Sequence, residues 1–265
     1  MRRIMYDNLA EDQEKTGKED RVQAGGKIAV VTGAARRVGK AIALALAERG
    51  AHVVITYNTS RAEALATLGE IEARGVHGLA VQGNITRSCD VDAIVRQVIQ
   101  RFGRIDILVN NASNYYKTPF VTLTEEQWDD LVGTNLKGTF LVCKRVGDEM
   151  LKAGAGKIIN LADWAGFRPY KNYIPYCVAK AGVIALTTAL AKTLAPQIQV
   201  NAVAPGPVLL PEDFSDALRR AVVQATPLKR IGTPDDIART VVFLVEGSDF
   251  ITGAIIPVDG GRLIA

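Results

Sequence analysis

From Lys27 onward, short runs dominated by Val, Ile and Ala alternate with longer stretches in which apolar residues recur every three or four positions. The runs "KIAVVT", "AHVVITY", "VHGLAVQ", "IDILVNN", "GKIINLA", "IQVNAVAP" and "AIIPVD" are too short for helices and are apolar on both faces. They predict seven strands of a parallel sheet that is covered on both sides. The periodic stretches predict helices over residues 37–49, 61–74, 89–102, 125–152 and 173–194, with two shorter ones at 212–224 and 234–246. Punctuation agrees, because Thr233 before Pro234 is an N-cap signature and Gly50, Gly75 and Gly103 stand where helices should stop. Such alternation predicts an α/β chain with one Rossmann-like, doubly wound domain over residues 27–265. Residues 1–26 mix both charge signs without an apolar run and are read as a flexible N-terminal extension. The stretch "APGPVLLPEDFSD" holds three prolines and is a candidate lid.

Composition narrows the function classes. A chain of 265 residues can bury one large core, and a net charge of +4 spread along it argues against nucleic acid as a partner. No apolar run approaches the ~18 residues of a membrane span, so no membrane association is expected. The cysteines, Cys89, Cys143 and Cys177, are odd in number and lack metal-like spacing. They read as buried thiols of a cytoplasmic protein, with no metal site.

Candidate chemistry begins at "VVTGAARRVGKAIALAL", a strand, a glycine-containing turn and an Ala-rich helix. Gly33 and Gly39 let the backbone approach a pyrophosphate at the helix N-terminus, with Val38 inside the turn. Arg37 stands where a middle glycine is usual, and with Arg36 it can face phosphate oxygens or an anionic substrate group. After the second strand, where an acid would bind ribose hydroxyls, the chain instead reads Tyr57, Asn58, Thr59, Ser60 and Arg61. Hydroxyls, an amide and a guanidinium suit a 2′-phosphate, so NADPH (NADP+) is preferred to NADH; Ser60 also reads as a helix cap.

Further on, Tyr176 and Lys180 stand four residues apart on one predicted helix face and can address one site. A nearby cation would favour the phenolate of a tyrosine whose pKa is otherwise near ~10. Together "TGAARRVG", "NNAS" at 110–113, Asn135, the Tyr176 to Lys180 spacing, "APGPV" at 204–208 and the final "VDGG" resemble the short-chain dehydrogenase/reductase family. The resemblance runs from Lys27 to the C-terminus. It implies a seven-stranded sheet, a homo-oligomer (tetramer or dimer), and dinucleotide at the C-terminal sheet edge. It also implies that Lys180 holds the nicotinamide ribose, that Asn135 serves a proton relay, and that Asn84, Asn111, Ala112, Ser113, Pro205, Gly206 and Val208 lie along the cofactor.

Asp163, thirteen residues before Tyr176, occupies the place where that family commonly has a serine that donates to a substrate carbonyl. An ionised carboxylate only accepts hydrogen bonds, so a substrate with ring nitrogens suits it better. With Arg37 and "NNASNYYKTPF", this aspartate resembles the pteridine reductase branch. That likeness implies NADPH-dependent reduction of C=N bonds in pterin or dihydrofolate-like rings. By the same likeness Tyr115 stacks on the ring, while Tyr173, Ser113 and Arg37 border it. Asp163 and Tyr176 then share the proton handling. Trp164 and Phe167 are read as packing, and His52 and His77 as structural. The competing readings are a 3-oxoacyl-thioester or other carbonyl reductase, and a dinucleotide-binding sensor without turnover.

Overall fold

In the computed structural model, which describes residues 23–210 and 214–265, all seven apolar runs are strands. They are β1 (Ile28–Val31), β2 (His52–Tyr57), β3 (Gly78–Gln82), β4 (Ile107–Asn110), β5 (Gly156–Leu161), β6 (Ile198–Pro205) and β7 (Ile255–Val258). Their order across the sheet is β3-β2-β1-β4-β5-β6-β7 and every pairing is parallel. The order reverses between β1 and β4, and in a doubly wound sheet a ligand crevice opens at that point beyond the carboxyl ends of the strands.

The helices are α1 (Arg37–Glu48), α2 (Arg61–Glu72), α3 (Ser88–Phe102), α4 (Glu125–Val132), α5 (Thr139–Ala153), α6 (Ile174–Leu194), α7 (Asp216–Ala225) and α8 (Pro234–Glu246). Alternate residues of each strand feed opposite cores, as the pleat requires. Ala29, Val31, Val53 and Ile55 pack with Ile42 and Leu46 of α1 and Val241 of α8. Ile28, Val30, Val54 and Leu108 pack with Val95 and Val98 of α3 and Val146 and Met150 of α5. Each fully buried aliphatic side chain contributes roughly 1.5–3 kcal/mol, so both layers anchor the sheet.

Several expectations are corrected. The single helix expected over 125–152 is interrupted by a π-helical segment, Gly133–Gly138, between α4 and α5. Two glycines and a threonine weaken the ordinary ladder there, and apolar periodicity does not register one widened turn. Helix α7 begins at Asp216, capped by the Ser215 side chain, whereas residues 211–213 of the proline loop lie outside the described residues. Helix α6 is long and apolar enough to cross a membrane by length and composition, with a mean hydropathy of 1.5, contrary to the expectation that no segment qualifies. It packs along β6, and its lysine within the apolar stretch, Lys180, is buried. Cys89 is exposed rather than buried, because it faces solvent in the first turn of α3, while Cys143 and Cys177 are buried free thiols. The expected extension lies outside the described residues up to position 22. Ala24, within its last stretch, is already part of the packed body: its side chain is in the core and its N–H donates to Glu246 Oε1 at 3.2 Å.

Candidate active site

The turn between β1 and α1 is shaped by two glycines and one side chain. Gly33 has φ 62°, and a Cβ there would lie 2.7 Å from Ala112 Cα; a Cβ on Gly39 would lie 2.7 Å from the Gly33 carbonyl oxygen. Asn111 ties the turn to β4 by donating from Nδ2 to the carbonyls of Thr32 (2.9 Å) and Gly33 (3.0 Å). The Asn111 amide is thereby committed to holding the turn. Helix α1 has no side-chain cap and no acid in its first turn, which leaves its N-terminal N–H groups and dipole available to an anion. Arg37 adopts φ 58°, the left-handed region its middle-glycine place demands, at a cost of roughly 1–2 kcal/mol. Its side chain and that of Arg36 are exposed, whereas Val38 packs against the core and has only its backbone to offer.

At the end of β2, Tyr57 is buried, and Asn58, Thr59 and Arg61 are exposed. Ser60 stands at the N-cap of α2 without the side-chain cap bond expected of it. Asn84 uses its side-chain oxygen locally, accepting from Thr86 N and Oγ1 at 2.9 Å each. Beyond β6, Gly206 passes so close to the chain after β7 that a Cβ would meet Asp259 Cα at 2.6 Å, and its N–H donates to Val258 O at 2.9 Å. Pro205 is half-buried beside it and Val208 is buried, packed into the core.

These parts fit a dinucleotide: a cradle that side chains would fill, an uncapped helix N-terminus, and hydroxyls with a guanidinium where an acid would repel a 2′-phosphate.

The reactive side chains meet where β5 ends and α6 begins. Asp163 caps the short 3-10 turn Trp164–Gly166, its Oδ1 accepting from Ala165 N at 2.7 Å. Tyr176, buried in the first turns of α6, donates its hydroxyl to Asp163 Oδ2 at 2.8 Å. Burial, and secondarily the Asp163 charge, holds the Tyr176 phenol well above its ordinary range. The lowering expected from Lys180 is outweighed, and Tyr176 stays protonated as a proton donor requires. Burial also raises the Asp163 carboxyl, against the pull of the Ala165 N–H, the Tyr176 hydroxyl and the Lys180 charge. Lys180 lies one helical turn beyond Tyr176, donates to Leu161 O at 2.8 Å, and sits 5.7 Å from the Tyr176 ring centre. Burial brings its ammonium down to about 8, with Asp163 pulling the other way.

Asn135, fully buried in the π-helical segment, donates to Asn114 O and Leu131 O at 2.9 Å each, and its Oδ1 accepts from Ser113 Oγ. Ser113 thereby commits its one hydroxyl proton to Asn135 and has only its oxygen left to accept from a ligand. Tyr115 is half-exposed, stacks on Tyr173 (ring centres 4.7 Å apart, 11° between planes) and meets Tyr176 edge-on at 4.9 Å. One face of the expected stacking platform is thus covered by Tyr173. The two loops are joined where Thr118 N donates to Asn172 O at 2.7 Å. Trp164 is buried, as its packing role required, but Phe167 is exposed because the 3-10 turn ends there and points it outward. His52 and His77 pair at the opposite sheet edge, where His77 N donates to His52 Nδ1 at 3.0 Å.

Three contributors escaped the sequence reading. Tyr170 places its hydroxyl 3.5 Å from Asp163 Oδ1; the "YKNYIPY" spacing, with tyrosines every third position, is the signal that could have found it. Asp130 accepts from Asn114 Nδ2 at 3.0 Å and so braces the carbonyl that holds Asn135. Arg262 lays its guanidinium 5.0 Å from the Trp164 ring centre, and a hollow of about 460 Å³ lined by Trp164, Arg168, Ala225, Arg262 and Ala265 adjoins it.

Comparison with known proteins shows what the chain as a whole is similar to. A family model described as enoyl-(acyl carrier protein) reductase matches residues 33–262. The 3-oxoacyl-[acyl-carrier-protein] reductase FabG of Staphylococcus epidermidis is 41% identical over 239 residues, spanning 89% of this chain and 98% of that one. The (2S)-[(R)-hydroxy(phenyl)methyl]succinyl-CoA dehydrogenase subunit BbsD of Thauera aromatica is 41% identical over 243 residues, spanning 89% and 96%. Among solved structures, a variant of actinorhodin polyketide ketoreductase with NADPH superposes with a TM-score of 0.86 at 31% identity, covering 91% of this chain and 98% of that one.

Proposed function

Because the chain belongs to the short-chain dehydrogenase/reductase family of oxidoreductases, we propose that it is an NADPH-dependent reductase of C=N bonds in a flat, pterin- or dihydrofolate-like ring. One observation carries the substrate class: the carboxyl of Asp163, hydrogen-bonded to Tyr176 at 2.8 Å, stands where a carbonyl reductase of the common pattern would present a hydroxyl donor. NADPH supplies the hydride when bound. Gly33, Gly39, Ala112, Arg36 and Arg37 would hold its pyrophosphate, Asn58, Thr59 and Arg61 its 2′-phosphate, and Lys180 its nicotinamide ribose. As the ring carbon accepts hydride, its nitrogen takes the Tyr176 proton, the hydroxyl turning from Asp163 Oδ2 to the ring; the Asp163 carboxyl, raised by burial and charged with a proton from solvent, then returns one to the phenolate through Oδ2. The Tyr115 and Tyr173 pair borders the ring and excludes water from it. The protein works in the cytosol as a homo-oligomer.

A second reading has its own support. The names of the relatives favour reduction of a 3-oxoacyl thioester over reduction of a pterin. A protonated Asp163 would give a carbonyl oxygen the hydrogen bond a serine gives it. The experiment is NADPH oxidation with dihydrobiopterin, dihydrofolate and an acetoacetyl thioester, each with wild type and Asp163→Ser. The C=N reading expects pterin turnover that the variant loses. Turnover of the thioester alone, kept or improved by Asp163→Ser, replaces it with the carbonyl reading.

A further inference from the structure

Two phenols share the carboxyl of Asp163. Its Oδ2 accepts the Tyr176 hydroxyl, while its Oδ1 accepts Ala165 N–H and faces the Tyr170 hydroxyl at 3.5 Å. The Tyr170 oxygen in turn accepts the indole N–H of Trp164. An indole offers only that one donor, so the hydroxyl proton of Tyr170 must point elsewhere, and Asp163 Oδ1 is the acceptor in reach. The ring of Tyr170 is held edge-on by Trp164 at 5.3 Å and by Tyr173 at 5.9 Å, and its N–H donates to Cys177 Sγ at 3.3 Å. Arg262 covers the outer face of Trp164 at 5.0 Å.

We propose that Tyr170 is a positioning residue that, together with the Ala165 N–H, occupies Oδ1 of Asp163, so that any proton the carboxyl takes up sits on Oδ2, facing a Tyr176 hydroxyl that then turns from it toward the substrate. Tyr170 touches no reacting atom; it acts through Asp163, and Trp164 orients its hydroxyl. The inference rests on Asp163 handling the reaction's proton, as proposed above, whichever substrate is reduced. The other titratable groups that act on this carboxyl are Tyr176 and Lys180 from α6, and its charge in turn raises Cys177 beside them and Tyr115 from the opposite loop. Among these neighbours Tyr170 favours the ionised form by its hydrogen bond, and its removal moves the Asp163 titration upward.

The test is Tyr170→Phe, which keeps the ring and deletes the hydroxyl. Turnover should fall roughly two- to fivefold, as suits a long hydrogen bond of 3.5 Å, while the KM for NADPH stays unchanged. The pH limb that Asp163→Asn abolishes should shift upward, and Trp164→Phe should shift it less, in the same direction. Infrared titration of the Asp163 C=O stretch in the free protein repeats the measurement without turnover. If neither pterin nor thioester is reduced, the proposed function fails, yet the infrared titration still decides this inference. A Tyr170→Phe protein that melts like wild type and titrates like it overturns the positioning role.

Discussion

Asp163, Tyr176 and Lys180 lie within one poorly solvated corner, so a change at any one retunes the others. If the Lys180 ammonium is required, kcat/KM should decline as pH rises through about 8, the value to which burial brings it. Asp163→Asn removes the anion that holds this group up, so the decline should begin at lower pH in that variant. The sign for stability is opposite. Between about 8 and the ordinary value of 10.5 the folded chain releases this proton while the unfolded chain keeps it, so stability from Lys180 rises with pH. Denaturant melts of wild type and Lys180→Met should therefore converge as pH climbs through that window. Tyr176→Phe should abolish turnover and leave NADPH affinity nearly unchanged; substantial residual activity would remove Tyr176 as the donor. Arg61→Ala should weaken NADPH far more than NADH, and equal losses would remove the 2′-phosphate assignment. The sequence revealed Tyr176, Lys180 and Asp163 because their spacing is local to one turn and one helix. It did not reveal that Ser113 binds Asn135, or that Tyr173 covers Tyr115, because those contacts join loops tens of residues apart in the chain.

Two short elements can be tested without touching the reactive groups. The N-terminus of α8 carries a complete capping box, Thr233 and Asp236 each bonding the other's backbone N–H. Thr233→Ala should cost about 1 kcal/mol of stability and spare activity, as a melt and an assay on the same sample would show. The turn before α1 should respond otherwise. Asn111→Leu deletes the donors to Thr32 O and Gly33 O, losing about 2 kcal/mol at roughly 1 kcal/mol per bond, and NADPH affinity should fall with it. The cap of α8 was legible because Ser/Thr followed by Pro and acids is a local signal. The π-helical segment was not, since its glycines and threonine loosen the ladder at one turn while the apolar period does not register it.

At the scale of the whole molecule, the alternation of strands with one or two helices specified the layering, and the glycine turn at β1 pointed to the sheet edge where the candidate site lies. Assembly is written less locally. Phe140 and Leu151 on α5, and Phe243 on α8 with the wholly exposed Phe250 after it, leave apolar side chains on two separate faces. Sedimentation should give a multiple of the 28.5 kDa chain, and Phe250→Asp with Phe243→Asp should lower it. The contact of Arg168 with the carbonyls of Arg262 and Ala265 spans more than ninety positions, and no pattern in the sequence announces it. It also bears on how the protein is handled. The last residue is held beside Trp164, whereas Gln23, with Arg49 and Glu246, lies at the far edge of the sheet. A purification handle or surface tether fused after Ala265 would pull on the tail whose Arg262 covers Trp164, and so on the ring that orients Tyr170.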